Sequence, residues 1–219
     1  MTTLGIAEQP CVLLEGVSWD TFERLLHELG ENRATRLAYD QGTLEIMAPL
    51  SPHEGVKELL SDIANCLAKA LRVDFAKMGS TTFKRADLGR GFEPDQCFYI
   101  HRYPAIRGKR EPLDLAEDPA PDLVIEVDMT HRSLNKLPIY AALGVQEVWR
   151  YVQGEVLLYQ CEGGAAQLVA ASRVFLGLQA QNIQTFLHRR DTMIKPDWED
   201  HITQWATEHI RLGELGASG

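Results

Sequence analysis

The sequence lacks several patterns that would assign a function directly. No stretch approaches the roughly 18 consecutive apolar residues of a membrane-spanning helix. Residues 1–10 show no basic segment followed by an apolar run, so no signal peptide is evident. No HExxH pair, Walker loop or GxGxxG loop occurs, which argues against a helical zinc site and against these nucleotide-binding loops. We therefore expect a cytoplasmic protein without a membrane span.

Cysteine is scarce and widely spaced. The four cysteines, Cys11, Cys66, Cys97 and Cys161, form neither a CxxC motif nor a Cys/His zinc pattern. Isolated cysteines of a cytoplasmic protein usually stay reduced and pack as small apolar side chains. We expect all four to be reduced and buried.

Basic residues are outnumbered, with 22 Lys and Arg against 31 Asp and Glu, which gives a net charge of −9 and a pI of about 5.3. This balance argues against a protein that coats nucleic acid non-specifically, because such binding depends on cations that neutralise phosphates. It still allows an enzyme with a local basic rim around an acidic site. Arg107, Lys109 and Arg110 could form that rim, although a solvated loop is the more frequent role of a short basic run.

The order of the predicted elements is typical of a single α/β domain with a mixed sheet. Apolar residues at helical spacing predict helices over residues 16–29, 53–71 and 178–188, and another that ends at Gly144. Alternating apolar residues and turn signals predict strands within 35–48, 74–100, 121–128, 145–152, 156–161 and 168–171. Residues 101–120 are predicted to form a loop. We expect one domain over 1–219, with a core of about 16–190 and a polar tail over 191–219.

The most informative segment is Pro-Asp-Leu-Val-Ile-Glu-Val-Asp at 121–128. Its crowded Leu, Val and Ile residues predict a buried strand. Glu126 and Asp128 stand two residues apart, so both carboxylates project from the same face of that strand. Neighbouring buried carboxylates repel each other and are costly to desolvate. The pair therefore indicates either a bound cation or a strand end that opens into water.

A further acidic residue precedes another predicted strand. Pro94 cannot donate to a sheet ladder, so it belongs at a strand start or a bulge and places Asp95 where the sheet opens. Carboxylates from two strands, Asp95 on one and Glu126 with Asp128 on the other, are ligands that a hard cation such as Mg²⁺ prefers. The alternative is that Asp95 caps a turn and that Asp128 is solvated at a strand end.

A lysine follows the acidic strand. Lys136 lies on the same helical face as Tyr140, and its ammonium could orient a water or balance charge in a transition state. Pro138 suits only the first turn of a helix, so we expect the helix to begin near Asn135 or Lys136. Residues 129–134 would then form a loop over the site. An ordinary surface lysine is the alternative.

Three motifs together resemble the Uma-two family of restriction-endonuclease-like proteins, a part of the PD-(D/E)XK nuclease superfamily. They are Glu-Pro-Asp at 93–95, the acidic strand at 121–128, and Lys-Leu-Pro-Ile-Tyr-Ala-Ala-Leu-Gly-Val-Gln-Glu-Val-Trp-Arg-Tyr at 136–151. The resemblance covers about residues 16–190. It implies a restriction endonuclease-like core, with a mixed β-sheet flanked by helices, and metal-dependent hydrolysis of phosphodiester bonds in DNA.

By the same resemblance, Asp95 and Glu126 would bind Mg²⁺ or Mn²⁺, and Lys136 would supply the catalytic amine from a helix. Asp128 stands where the superfamily has a lysine, two residues after Glu126. It would bind the metal or merely occupy that position. Lys84 is a second candidate for the amine.

Three questions stay open at this point. Glu54 or Glu58 at the start of the long helix could face the metal, although the helix dipole favours acidic residues there in any case. A homodimer is expected by analogy with nucleases that cut both strands.

The competing hypothesis is a catalytically inactive nuclease fold that acts as a binding or regulatory module. The acidic net charge and the missing lysine support it.

Overall fold

The computed structural model describes residues 10–30, 33–79, 81–109, 113–128 and 134–213. These ranges contain six α-helices, a 3₁₀ turn and thirteen strands. The helices are α1 (Trp19–Leu29), α2 (Ser51–Ala70), α3 (Tyr103–Ile106), α4 (Leu137–Ala142), α5 (Ala180–Arg189) and α6 (Lys195–His209). The strands are β1 (Cys11–Leu14), β2 (Arg36–Asp40), β3 (Thr43–Met47), β4 (Ala76–Lys77), β5 (Phe83–Arg85), β6 (Arg90–Phe92), β7 (Gln96–Tyr99), β8 (Leu123–Asp128), β9 (Glu147–Val152), β10 (Glu155–Glu162), β11 (Ala165–Val169), β12 (Phe175–Leu176) and β13 (Arg211–Leu212).

The central sheet has six strands in the order β11-β10-β9-β8-β7-β4. Its β8 and β9 run parallel, whereas the other neighbouring strands are antiparallel. A parallel pair needs a crossover connection, and α4 lies in the chain between these two strands. The sheet is therefore mixed, as the sequence predicted.

The two faces of β8 pack against different layers, which explains why its sequence is apolar nearly throughout. Ile125 and its neighbour Trp149 on β9 belong to a cluster with α2, α5 and α6. Val124 and Val148 belong to a second cluster with α4. Helices thus flank the mixed sheet, and the predicted α/β class is confirmed.

A second sheet has five antiparallel strands in the order β1-β3-β2-β6-β5. The predicted hairpin forms its β2–β3 ladder, with a turn at Gln41 and Gly42 that have φ angles of 46° and 106°. Two positive φ angles give a turn whose twist matches the flanking strands. Phe92 of β6 packs edge-on against Tyr140 of α4, with ring centroids 4.7 Å apart, so α4 joins the cores of the two sheets.

The predicted helices form with small differences at their ends. Ser18 caps α1 as expected, since its hydroxyl oxygen accepts a hydrogen bond of 3.2 Å from the Thr21 N–H. The segment 101–120 is less irregular than predicted, because it contains the single turn of α3. No helix in the described ranges combines the length and the apolar character that crossing a membrane requires.

The C-terminal segment departs from the prediction of a polar tail after residue 190. It forms α6, and Trp198, Ile202 and Ala206 enter the same cluster as α2. These residues recur at every fourth position, so a single narrow stripe of α6 is buried and the rest of the segment is polar. The core therefore extends well beyond residue 190.

We predict that Trp198→Ala lowers the free energy of unfolding by about 3–5 kcal/mol. Trp198 is fully buried, and its indole N–H donates a 2.7 Å hydrogen bond to the Phe186 carbonyl. Urea denaturation followed by tryptophan fluorescence and circular dichroism measures the change. As a control, Ile194→Ala at a 66% exposed position should change the stability by less than about 0.5 kcal/mol. Equal stability of the two variants would show that α6 is not part of the core.

Candidate active site

Asp95 and Glu126 lie side by side at one end of β7 and β8. Asp95 directly precedes β7, whose Gln96 pairs with Ile125 of β8. The Asp95 N–H donates a 3.3 Å hydrogen bond to Glu126 Oε1, and the Val127 N–H donates a 2.8 Å bond to Asp95 Oδ2. Only 3% of Asp95 and 7% of Glu126 are exposed. The backbone of each strand thus holds the carboxylate of its neighbour.

Lys136 brings a cation to this pair, with 11% of its side chain exposed. It occupies the N-cap position of α4, which begins at Leu137 and carries Pro138 in its first turn, as predicted. Its Nζ lies 3.0 Å from Glu126 Oε2 and 3.3 Å from Glu45 Oε1. The ammonium therefore bridges two carboxylates. Residues 129–133 of the predicted loop lie outside the described residues.

Glu45 on β3 is a site residue that sequence reasoning missed. It is 1% exposed, and its Oε2 accepts a 2.6 Å hydrogen bond from the Leu134 N–H. An acidic residue between Leu44 and Ile46 in an alternating strand looks solvent-facing from sequence alone. Its burial follows from the contact with the segment that leads into α4, which no local pattern reveals.

His53 is the residue that α2 places against Asp95. Its side chain is fully buried, and Nε2 lies 3.0 Å from Asp95 Oδ2. The two glutamates considered as metal ligands have other partners, because Glu54 pairs with Lys57, and Glu58 lies 3.4 Å from that same lysine. The helix therefore contributes an imidazole beside Asp95, where the sequence suggested a carboxylate.

Tyr140 lies one helical turn after Lys136 and lines the same pocket as Glu126. The residue is 1% exposed, and its hydroxyl oxygen makes no well-aligned hydrogen bond with the described residues. The Glu126 carboxylate is nevertheless within interaction range of this hydroxyl. The hydroxyl offers the pocket one further hydrogen-bond donor.

Asp128 and Lys84 each have a partner of their own. The Asp128 Oδ2 accepts a 2.6 Å hydrogen bond from Nη2 of Arg150 on β9. Lys84 donates to both carboxylate oxygens of Glu23, at 2.8 and 2.7 Å, and is 41% exposed. Of the candidate amines, the structure brings Lys136 into contact with Glu126.

The predicted basic loop is also paired. Arg107 forms an ion pair with Asp74, and Lys109 forms one with Asp118. Arg110 lies outside the described residues. The described part of the loop is therefore closer to the solvated alternative than to a free basic rim.

The buried charges shift one another's protonation. Burial raises the pKa of Glu126, and the Asp95 carboxylate adds to this against the effect of Lys136. Burial would also raise the pKa of Asp95, but His53 and Lys136 outweigh it and lower the pKa. Burial alone would lower the pKa of Lys136, yet Glu126 and Glu45 raise it above its ordinary value. Lys136 is consequently a permanent cation at neutral pH.

Two other groups in the pocket also keep their protons. Burial and the Glu126 carboxylate raise the pKa of Tyr140 well above its ordinary value. Burial and Glu45 raise the pKa of the Cys11 thiol to about 11. That thiol donates to Glu45 Oε2 over 3.6 Å, so it is a weak donor and a poor nucleophile. Covalent cysteine chemistry is therefore not what this site is built for.

The donor set at this site limits the kind of metal that it could hold. Among the residues that the structure describes, no three His, Cys, Asp or Glu side chains converge closely enough to hold a metal ion. A caged structural metal does not fit this arrangement. Mg²⁺ needs only one or two carboxylates because it retains several waters, and the adjoining pocket has a volume of about 30 Å³. Glu126 lines this pocket and Asp95 lies beside it, so the two carboxylates meet this smaller requirement in number.

We predict that Lys136→Met lowers the free energy of unfolding by about 3–5 kcal/mol, because it leaves buried carboxylates without their cation. Urea denaturation at neutral pH measures this loss. Lys84→Met removes a half-exposed lysine paired with Glu23 and should cost no more than about 1 kcal/mol. A Lys136 variant as stable as the Lys84 variant would contradict the ionic bridge.

The geometry can be set beside known proteins. A sequence model of the Uma2 family, described as a putative restriction endonuclease, matches residues 19–187. The chain is also similar to the crystal structure of a putative nuclease belonging to DUF820 from Anabaena variabilis ATCC 29413. The two are 19% identical with a TM-score of 0.48, and the match covers 77% of this chain and 98% of the other. No curated protein matches the chain. Because the family match spans well over half of the sequence, the chain belongs to the Uma2 family, as its three motifs predicted.

Proposed function

We propose that the protein is a metal-dependent endonuclease that hydrolyses phosphodiester bonds in DNA. The observation that supports this best is the buried arrangement of Asp95, Glu126 and Lys136. Two carboxylates lie on neighbouring strands, each bonded to the backbone of the other strand, and an ammonium lies 3.0 Å from one of them. Membership of a family described as a putative restriction endonuclease supports the same reaction.

Asp95 and Glu126 would hold Mg²⁺ or Mn²⁺. When bound, such an ion supplies an acidified water and a positive charge beside a phosphoryl oxygen. Lys136 contacts the Glu45 and Glu126 carboxylates, and Asp95 lies beside Glu126 with the His53 imidazole as its partner, so negative groups outnumber positive ones here. This excess of negative charge favours a divalent cation in the site.

Lys136 and Tyr140 act as hydrogen-bond donors in this proposal. Their raised pKa values keep both groups protonated at neutral pH, so neither serves as a general base. Lys136 would stabilise the negative charge that develops on the phosphate, and Tyr140 would orient a phosphate oxygen or the attacking water. His53 beside Asp95 would keep that carboxylate ionised.

The proposed protein is cytoplasmic and dimeric. All four cysteines are free thiols, which supports a reducing compartment such as the cytoplasm. We infer a homodimer because two sites related by a two-fold axis can cut both strands of a duplex.

An inactive nuclease fold that serves as a binding module remains the second candidate. The observation in its favour is the enclosure of the carboxylates, which are less than a tenth exposed and already bonded to protein donors. The two candidates differ in one respect, since only the enzyme cleaves nucleic acid.

We predict that the purified protein cleaves plasmid DNA with Mg²⁺ or Mn²⁺ and that EDTA abolishes the cleavage. Asp95→Asn and Glu126→Gln should each lower the rate by about 100-fold or more, because they weaken a metal site that supplies several kcal/mol of transition-state stabilisation. Gel electrophoresis of the products measures the rate, and an RNA substrate run in parallel tests the choice of DNA.

A matched control is Asp40→Asn, which alters a half-buried carboxylate paired with Arg90 at 2.7 Å in the other sheet. It should cleave at the rate of the unaltered protein. Circular dichroism establishes that every variant is folded. Binding of DNA without cleavage by any divalent ion would favour the inactive module, and full activity of Asp95→Asn would exclude the proposed metal site.

A further inference from the structure

Arg150 and Glu126 occupy paired positions on two parallel strands. The register of β8 and β9 sets Val124 opposite Val148 and Glu126 opposite Arg150. Side chains alternate along a strand, so these residues share one face of the sheet. Val124 and Val148 pack in the cluster that contains Tyr140, which identifies the face as the one toward α4. Arg150 therefore projects beside Glu126 into the candidate active site.

The guanidinium of Arg150 is held in place and remains accessible. Its Nη2 donates a 2.6 Å hydrogen bond to Asp128 Oδ2, while 27% of its side chain and 13% of the Asp128 side chain are exposed. Both residues line the same pocket as Glu126 and Lys136. A guanidinium carries five N–H donors in a planar fork, so a carboxylate on one edge can fix the plane while other parts face a ligand.

The chemistry of this position suits a phosphate. Arginine matches phosphate with paired, charge-assisted hydrogen bonds, which Asp and Glu side chains in the same pocket cannot provide. Asp128, two residues after Glu126, holds this arginine of the neighbouring strand in place. We propose that Arg150 binds a backbone phosphate flanking the phosphodiester that is cut, with Asp128 as the residue that positions it. This assignment rests on the proposed nuclease function for the identity of the substrate.

A purely structural ion pair would hold the two strands together without touching DNA. The two roles differ in the salt dependence of DNA binding, because each phosphate contact releases bound counterions. The slope of log K against log salt is negative, and loss of one contact makes it shallower by about 0.9. Loss of a structural pair leaves that slope unchanged in any variant that still folds.

The test measures binding of a fluorescent 20-base-pair duplex by fluorescence anisotropy, in EDTA and over a range of salt concentrations. Arg150→Gln should bind about 10-fold more weakly and with a slope smaller by about 0.9. Arg150→Lys keeps one charge and should retain the slope while losing part of the affinity, and it replaces the glutamine variant if that variant does not fold. The matched control is Arg173→Gln, since Arg173 pairs with Glu162 at 3.1 Å and is 65% exposed outside the pocket. It should bind as the unaltered protein does.

A double-mutant cycle tests the positioning role of Asp128. Asp128→Asn removes a negative charge from the site, which by itself favours DNA binding. In the Arg150→Gln background only this gain remains, whereas beside an intact Arg150 it is offset by the loss of positioning. We therefore expect Asp128→Asn to favour binding more in the Arg150→Gln background. Additive effects would overturn the role of Asp128.

The same proteins are assayed for cleavage with Mg²⁺, so that the two proposals can fail separately. If the unaltered protein cleaves DNA but Arg150→Gln binds with unchanged affinity and slope, the phosphate contact is wrong and the nuclease stands. If binding depends on Arg150 but no cleavage occurs, the nuclease is wrong and the phosphate contact stands. Failure of the unaltered protein to bind the duplex even at low salt would overturn the phosphate contact.

Discussion

The pair of ion contacts made by the Lys136 ammonium is the interaction on which the rest of the structure depends. It connects Glu45 of the five-stranded sheet with Glu126 of the six-stranded sheet, and it stands at the first turn of the helix that joins their cores. Removing three charged groups from water is unfavourable unless they compensate one another. Mutual compensation therefore requires both sheets and α4 to be in place together. The candidate site therefore forms only when the two sheets and α4 are joined.

The sequence was sufficient for the parts of the site that depend on local periodicity. Asp95 and Glu126 could be placed at strand ends because Pro94 marks a strand start and three apolar residues, 123–125, directly precede Glu126. The first turn of α4 could be placed because of Pro138. Glu45 and His53 could not be found in this way, since their roles arise from contacts between elements that are far apart in sequence. Burial of a polar side chain is decided by its tertiary partner, which alternation along a strand or helix does not show.

The same reasoning explains the two other differences between sequence and structure. Asp128 stands where the nuclease pattern has a lysine. The sequence did not reveal its role because its partner, Arg150, lies on another strand beyond a helix. The parallel register that brings them together is set by the whole β8–α4–β9 unit. In α6, a narrow stripe led by Trp198 was too sparse to distinguish a packed helix from a polar tail. In both cases the residues are visible in the sequence, but their roles depend on tertiary contacts that sequence periodicity does not reveal.

Backbone N–H groups of the two neighbouring chain segments, at Asp95 and Val127, hold the carboxylates of Glu126 and Asp95. Because the strand pairing itself holds these carboxylates, relief of their repulsion strengthens the contact between β7 and β8. An ion that binds the folded chain alone raises its melting temperature according to the ratio of ion concentration to dissociation constant. The melting temperature of the protein therefore reports the binding of an ion. A thermal-shift survey of divalent ions would rank the ions that stabilise the fold and so test the proposed metal site before any substrate is known.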